Sequence, residues 1–201
     1  MHAHRIIRLL TTAIIGSALI AALSGCVAGQ AIRLQHAPGS GPKLASAKTV
    51  AVDARDSREF VVSGDKQPSY LGHYRATYGN TWAVYNAGYR ALAKQFKDDI
   101  LAELKAQGIE TVASGERKIE VNVKDWNFDT YLNGKVWYEI SVAVTDDGGS
   151  VLATTTIKDE KVIRGNIWTG PAGAFKRELP VIYSGIINEI LGKDEIQKAL
   201  R

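Results

Sequence analysis

Ile119-Glu120-Val121-Asn122-Val123-Lys124-Asp125-Trp126-Asn127-Phe128 is the stretch on which the architecture turns. Ile119, Val121 and Val123 alternate with polar residues, and Trp126 and Phe128 then continue the apolar role on the opposite parity. A strand buries one parity against the core, so a one-residue slip of this kind predicts a bulge near Lys124-Asp125. Asn133-Gly134 is a strong hairpin-turn signal. Beyond it Val136, Tyr138, Ile140, Val142 and Val144 alternate, with polar Glu139, Ser141 and Thr145 opposite. Asp146-Asp147-Gly148-Gly149 makes a second turn, and Val151 to Ile163 returns as a third strand. It lacks the alternating ligands and distal Glu of a calcium loop. Three long strands joined by tight turns read as an antiparallel meander covered on one face.

The helices that cover it flank the meander. Leu92, Phe96, Ile100, Leu101 and Leu104 form one apolar stripe within Tyr89–Gln107, and Gly108 stands where a left-handed cap is expected. A second helix is read over Leu179–Leu191, with Ile182, Ile186, Ile187 and Ile190 inward and Gly192 ending it. Asp194 is placed to cap a short helix ending at Leu200. Upstream, Thr49 to Asp53 reads as a strand and Glu59 to Val62 as a shorter one. The fold class is therefore α+β: an antiparallel sheet with two main helices packed on one face.

The first 26 residues carry a different signal. Arg5 and Arg8 precede an uncharged run from Leu9 to Gly25, which ends Leu23-Ser24-Gly25-Cys26. A positive start, an apolar core and small residues before a cysteine describe a secretory signal peptide with a bacterial lipobox. Gly16, Ser17, Thr11 and Thr12 weaken the competing reading, a short transmembrane anchor with an incidental cysteine. The domain reading follows: 1–25 a signal peptide, 26–46 a lipidated N-terminus and flexible tether, and 47–201 a single periplasmic α+β domain. Gly29, Pro38, Gly39, Ser40, Gly41 and Pro42 give the tether its composition. Lipidation of Cys26 supplies diacylglycerol and an N-terminal acyl chain such as palmitate. Two or three chains anchor stably where one does not. An Asp after the cysteine retains lipoproteins at the inner membrane; Val27 points to the outer membrane, with the domain in the periplasm.

Composition narrows the function. The 201 residues are 45% hydrophobic and 23% charged, with one Cys, so no disulfide framework or thiolate metal cage forms within the chain. Loss of Arg5 and Arg8 leaves 23 bases against 21 acids and no basic tract, which argues against a nucleic-acid partner. No nucleophile elbow, zinc-helix motif, phosphate loop or dinucleotide fingerprint is present, and His73 is the one histidine of residues 47–201. No catalytic residue, metal or cofactor is assigned. An envelope hydrolase using Asp125 and Asp129, which flank Trp126, is the weakest reading.

The most unusual stretch is Tyr70 to Tyr89. Tyr70, Tyr74, Tyr78, Trp82, Tyr85 and Tyr89 recur at steps of three or four, interrupted by Gly72, Gly79 and Gly88. Two readings stand: a long loop whose rings pack over the sheet edge, or a partner or ligand surface formed by Tyr70, His73, Tyr74, Arg75, Tyr78 and Trp82. The second would suit an envelope protein partner, or a carrier or sensor of an apolar or sugar ligand.

Val50-Ala51-Val52-Asp53-Ala54-Arg55, Leu71-Gly72-His73-Tyr74-Arg75, the helix through Leu101 and Leu104 into Gly108, and Tyr183 to Leu200 complete the pattern. With the lipobox, they resemble the YajG-like group of bacterial lipoproteins and, more distantly, the auxiliary lipoproteins of lipid-moving ABC transporters. The resemblance covers most of residues 48–201. It implies an envelope lipoprotein without known catalysis, and it carries over no catalytic residues. A non-enzymatic binding or scaffolding module on a lipid anchor is the expected function.

Overall fold

The computed structural model describes residues 30–46, 48–75, 80–130, 134–164 and 170–201. Seven strands form one open sheet: β1 (Gln30–Ile32), β2 (Val50–Asp56), β3 (Tyr70–Arg75), β4 (Thr81–Asn86), β5 (Arg117–Asp129), β6 (Gly134–Asp146) and β7 (Val151–Ile163). Among the described residues four α-helices accompany them: α1 (Glu59–Val62), α2 (Leu92–Ala106), α3 (Gly170–Gly192) and α4 (Asp194–Leu200). The α+β class is as expected from the sequence.

The order across the sheet is β1-β4-β3-β5-β6-β7, with β2 beside β5. The meander β5-β6-β7 is antiparallel, and its register slips between Val123 and Asp125, at the predicted bulge. The sheet as a whole is mixed rather than antiparallel, because three pairings are parallel. β2 runs parallel to the first half of β5, His73 of β3 meets Asp129 at the end of β5, and β1 runs parallel to β4. The connection from β2 to β5 passes through α1, β3, β4 and α2, a crossover long enough to bring a strand back in the same direction.

Beside the bulge, one edge of β5 changes neighbour from β2 to β3. Arg58, fully buried, fills that junction. Its Nε and Nη2 donate to the two Asp56 carboxylate oxygens at 2.8 and 2.6 Å. Nη1 donates to the Tyr70 carbonyl at 2.6 Å and more weakly to the Trp126 carbonyl, while Nη2 also reaches the Pro68 carbonyl at 2.9 Å. Glu59–Val62 is a single helical turn, not the strand expected from its β-branched residues. Val61 and Val62 both donate to the Arg58 carbonyl, and Phe60 lies under the Arg58 guanidinium.

Below the sheet, α2, α3 and α4 bury Phe96, Ile100, Leu104, Phe175, Leu179, Tyr183, Ile187, Ile190 and Ile196 against Val121, Trp126, Phe128, Tyr138 and Ile140. Gly108 adopts φ +78 and caps α2, and Ile109 folds back with its N–H on the Leu104 carbonyl at 3.0 Å. α3 begins at Gly170, earlier than Leu179, and extends through Pro180. Asp194 opens α4 as its first residue; the cap position is Lys193, with no side-chain capping bond.

Core packing is tight where β6 begins. A Cβ added at Gly134 would lie 2.0 Å from Phe175 Cε2. Gly134→Ala is expected to cost about 1–3 kcal/mol through overpacking, read as a lower urea midpoint with an unchanged slope.

The domain begins earlier than position 47. From Gln30 onward the stretch read as tether is part of the folded body: β1 extends the sheet, and Ile32, Leu34 and His36 are buried. A Gly- and Pro-rich composition permits extension, but here the backbone is held by side chains of α2 and of Gln107, the residue that ends it. Glu103 accepts from the Gly39 and Gly41 N–H groups at 2.7 and 3.1 Å, and Gln107 accepts from Leu44 N–H at 2.6 Å.

Candidate functional surface

Within the aromatic segment, Tyr70–Arg75 and Thr81–Asn86 pair as the antiparallel strands β3 and β4, and Ala87–Tyr89 makes a 3-10 turn. A bulge between Tyr70 and Gly72 shifts the register and sends Tyr70 and Tyr74 to opposite sides of the sheet. Tyr74 packs on Phe128 and Phe175 beneath the helices, whereas Tyr70 meets Phe60 and Tyr85 on the other side. Gly72 allows this: its φ is +155, and an added Cβ would lie 2.6 Å from the Phe128 backbone nitrogen. Of the six residues read as one surface, Tyr70 and Tyr74 are therefore buried. Trp82 stands opposite Tyr74 and is 40% exposed, and Tyr78 lies outside the described residues.

His73 and Arg75 converge instead on Asp129. Arg75 Nε lies 2.8 Å from both carboxylate oxygens, and His73 Nε2 lies 3.2 Å from Oδ2. His73 Nδ1 lies 3.2 Å from the Tyr70 hydroxyl. Burial, then the neighbouring Tyr85 and Asp129, push Tyr70 up to about 12, so it stays a protonated phenol. The cluster is a cross-strand tie joining β3 to β5. Tyr74 is likewise raised to about 12 by burial, with its ring packed in the core.

The two carboxylates proposed for hydrolysis do not converge. Asp125 and Asp129 lie four residues apart on one strand, about 13 Å at strand rise. Glycosidase pairs stand roughly 5–9.5 Å apart. Asp129 is engaged by Arg75 and His73; Asp125 is paired in register with Glu139. Burial raises the Asp125 carboxyl, with Glu139 adding to it against the Trp126 N–H and the Arg58 and Lys158 charges. Among the described residues, no group of three or more His, Cys, Asp or Glu is placed to hold a metal, and no helix is long and apolar enough to cross a membrane.

Among the described residues, the helices cover one sheet face and leave the other bare over β2, β5, β6 and β7. Register lines up Arg55, Asn122, Ser141 and Thr156 in one cross-strand row, and Asp53, Glu120, Ala143 and Thr154 in the next. These rows line a shallow concavity of about 490 Å³. Ser141 and Thr156 hydroxyls are 3.0 Å apart, and Asn122 Oδ1 is buried without a hydrogen-bond partner among the described residues. Ion pairs surround the shelf: Lys118 with Glu120, Lys97 with Asp53, and both Lys124 and Lys158 with Glu139. Sequence reading missed this face. Its signal was the polar parity of β5 and β6, but β2 joins it only through a long-range parallel pairing.

With this geometry in view, 14% identity links the chain to a DUF330 protein from Xanthomonas campestris over 81% of this chain and 93% of that one, with a TM-score of 0.52. The likeness is one of fold. A dodecameric PelC from Paraburkholderia phytofirmans aligns at 15% identity over 79% of this chain and 94% of its own, with a TM-score of 0.44. The lipoprotein GNA1162 from Neisseria meningitidis aligns at 10% over 72% and 98%, with a TM-score of 0.30. No family model and no curated relative matches the chain.

Proposed function

We propose that the protein is a lipid-anchored envelope protein, similar to the YajG-like lipoproteins, whose domain binds or scaffolds another envelope component without catalysing a reaction. The anchor rests on Leu23-Ser24-Gly25-Cys26 behind a charged start and an apolar run, and Val27 favours the outer membrane. One observation carries the binding role: the sheet face of Arg55, Asn122, Ser141 and Thr156 is polar, concave and left uncovered by the helices. A polar face ringed by ion pairs suits a wet, reversible protein contact.

Two substitutions test the two halves. Cys26→Ser is expected to move the protein from the membrane fraction to the soluble periplasmic fraction. Ser141→Arg places a long cation in the middle of the shelf while leaving the helix side untouched. It is expected to reduce photo-crosslinking from Thr154 to an envelope partner at least ten-fold, with an unchanged melting temperature. Undiminished crosslinking in Ser141→Arg would reject this face as the binding surface.

A further inference from the structure

β1 fixes where the anchored chain enters the domain. Gln30 stands opposite Val84 and Ile32 opposite Asn86, in parallel, so the chain approaches Gln30 from the Trp82 end of β4. The register carries that level across the sheet: Ala83 faces His73, His73 meets Asp129, Asp129 faces Lys135, and Lys135 faces Val162. Beyond this row, at the same end, lie Trp82, Arg75 and Arg164. α3 also starts here, since the Tyr74 hydroxyl reaches the Ala172 carbonyl at 3.4 Å.

Three residues separate Cys26 from Gln30. Four peptide steps span at most about 14 Å. Trp82, two residues further toward the entering chain than Val84, extends about 7 Å in that direction. The opposite end of the sheet, at the Asp146–Val151 turn, is a full 13-residue strand away, about 40 Å. A lead this short holds the Trp82 end near the acyl chains and keeps the far end away from them.

We infer that the Trp82 end of the domain rests on the headgroup layer of the phospholipid bilayer, with the long strands directed away from it. This rests on the anchor reading above. Trp82, 40% exposed beside a buried core, presents an amphipathic ring of the kind that settles at membrane interfaces. Arg164, Lys176 and Arg177 are exposed at this end, where they meet phosphate oxygens and anionic headgroups.

The test uses the mature lipidated protein in vesicles of phosphatidylethanolamine and phosphatidylglycerol, with single introduced thiols carrying an environment-sensitive fluorophore. Trp82→Cys and, independently, Arg164→Cys probe the near end; Asp147→Cys probes the far end. A spin-labelled lipid in the vesicles is expected to quench the two near-end probes at least two-fold and to leave the far-end probe unchanged. Equal quenching at both ends, or none at either near-end position, overturns the orientation while leaving the anchor reading intact. An intact mass without acyl chains on Cys26 overturns both.

Discussion

Replacing Arg58 with alanine is expected to destabilise the domain by about 3–5 kcal/mol, lowering its melting temperature on the order of 10 °C. The guanidinium is fully buried and answers five acceptors: both oxygens of Asp56 and the carbonyls of Pro68, Tyr70 and Trp126. Alanine leaves a largely buried carboxylate and three carbonyls facing a cavity. Arg58→Lys keeps the charge but not the planar fork, so it should recover only part of the loss. Because Arg58 sits where β5 exchanges β2 for β3, hydrogen exchange in the alanine variant should rise first in β3 and at the end of β2. Chemical denaturation checks the magnitude; a loss below about 1 kcal/mol would show that water replaces the guanidinium without penalty.

Nothing in the sequence around Arg58 announces this role. Ala54-Arg55-Asp56-Ser57-Arg58 reads as a charged break after a strand, and the acceptors for Arg58 come from residues up to 68 positions away. The long strands behaved differently. Alternation from Ile119 to Ile163 and the parity slip near Lys124 are local signatures of a covered sheet, and they place β5, β6, β7 and the bulge correctly. The α2 stripe and its Gly108 cap were legible for the same reason. Local patterning failed where the neighbour supplies the order. In Tyr70–Tyr89 the spacing of rings resembles a helical face, but β5 pairing and the Gly72 bulge make an antiparallel strand pair that turns two predicted surface tyrosines inward. Of the candidate surface, Trp82 remains open, while His73 and Arg75 are drawn to Asp129, which sequence reading had assigned to a different chemistry.

The segment read as tether is the other such case, and it yields the second large effect. Glu103→Ala is expected to free residues 33–46 from the helices and to cost about 3–4 kcal/mol, the scale for removing one member of a buried charged network. The Glu103 side chain is fully buried. It accepts from the Gly39 and Gly41 amides and from Gln107, and lies 2.9 Å from His36 Nε2. His36 in turn reaches Ser184 of α3 at 2.8 Å, so the network joins the entering chain to both main helices. Burial pushes the Glu103 carboxyl up, but hydrogen bonds from Gln107, His36, Gly39 and Gly41 outweigh it and hold the group below its ordinary 4.5. A carboxyl depressed in the folded state stabilises that state above its ordinary pKa, and the contribution is withdrawn as pH falls through the lower folded value. Protection factors for amide exchange across residues 33–46, taken against the intrinsic rate at each pH, should therefore fall on acidification below pH 4.5 in the parent protein. Glu103→Gln keeps one acceptor and removes the titration; its strap should exchange faster than the parent at neutral pH and lose that acid step. Exchange mass spectrometry reads both. A parent strap equally protected above and below this range would mean that Gly39 and Gly41 are held by backbone shape rather than by Glu103.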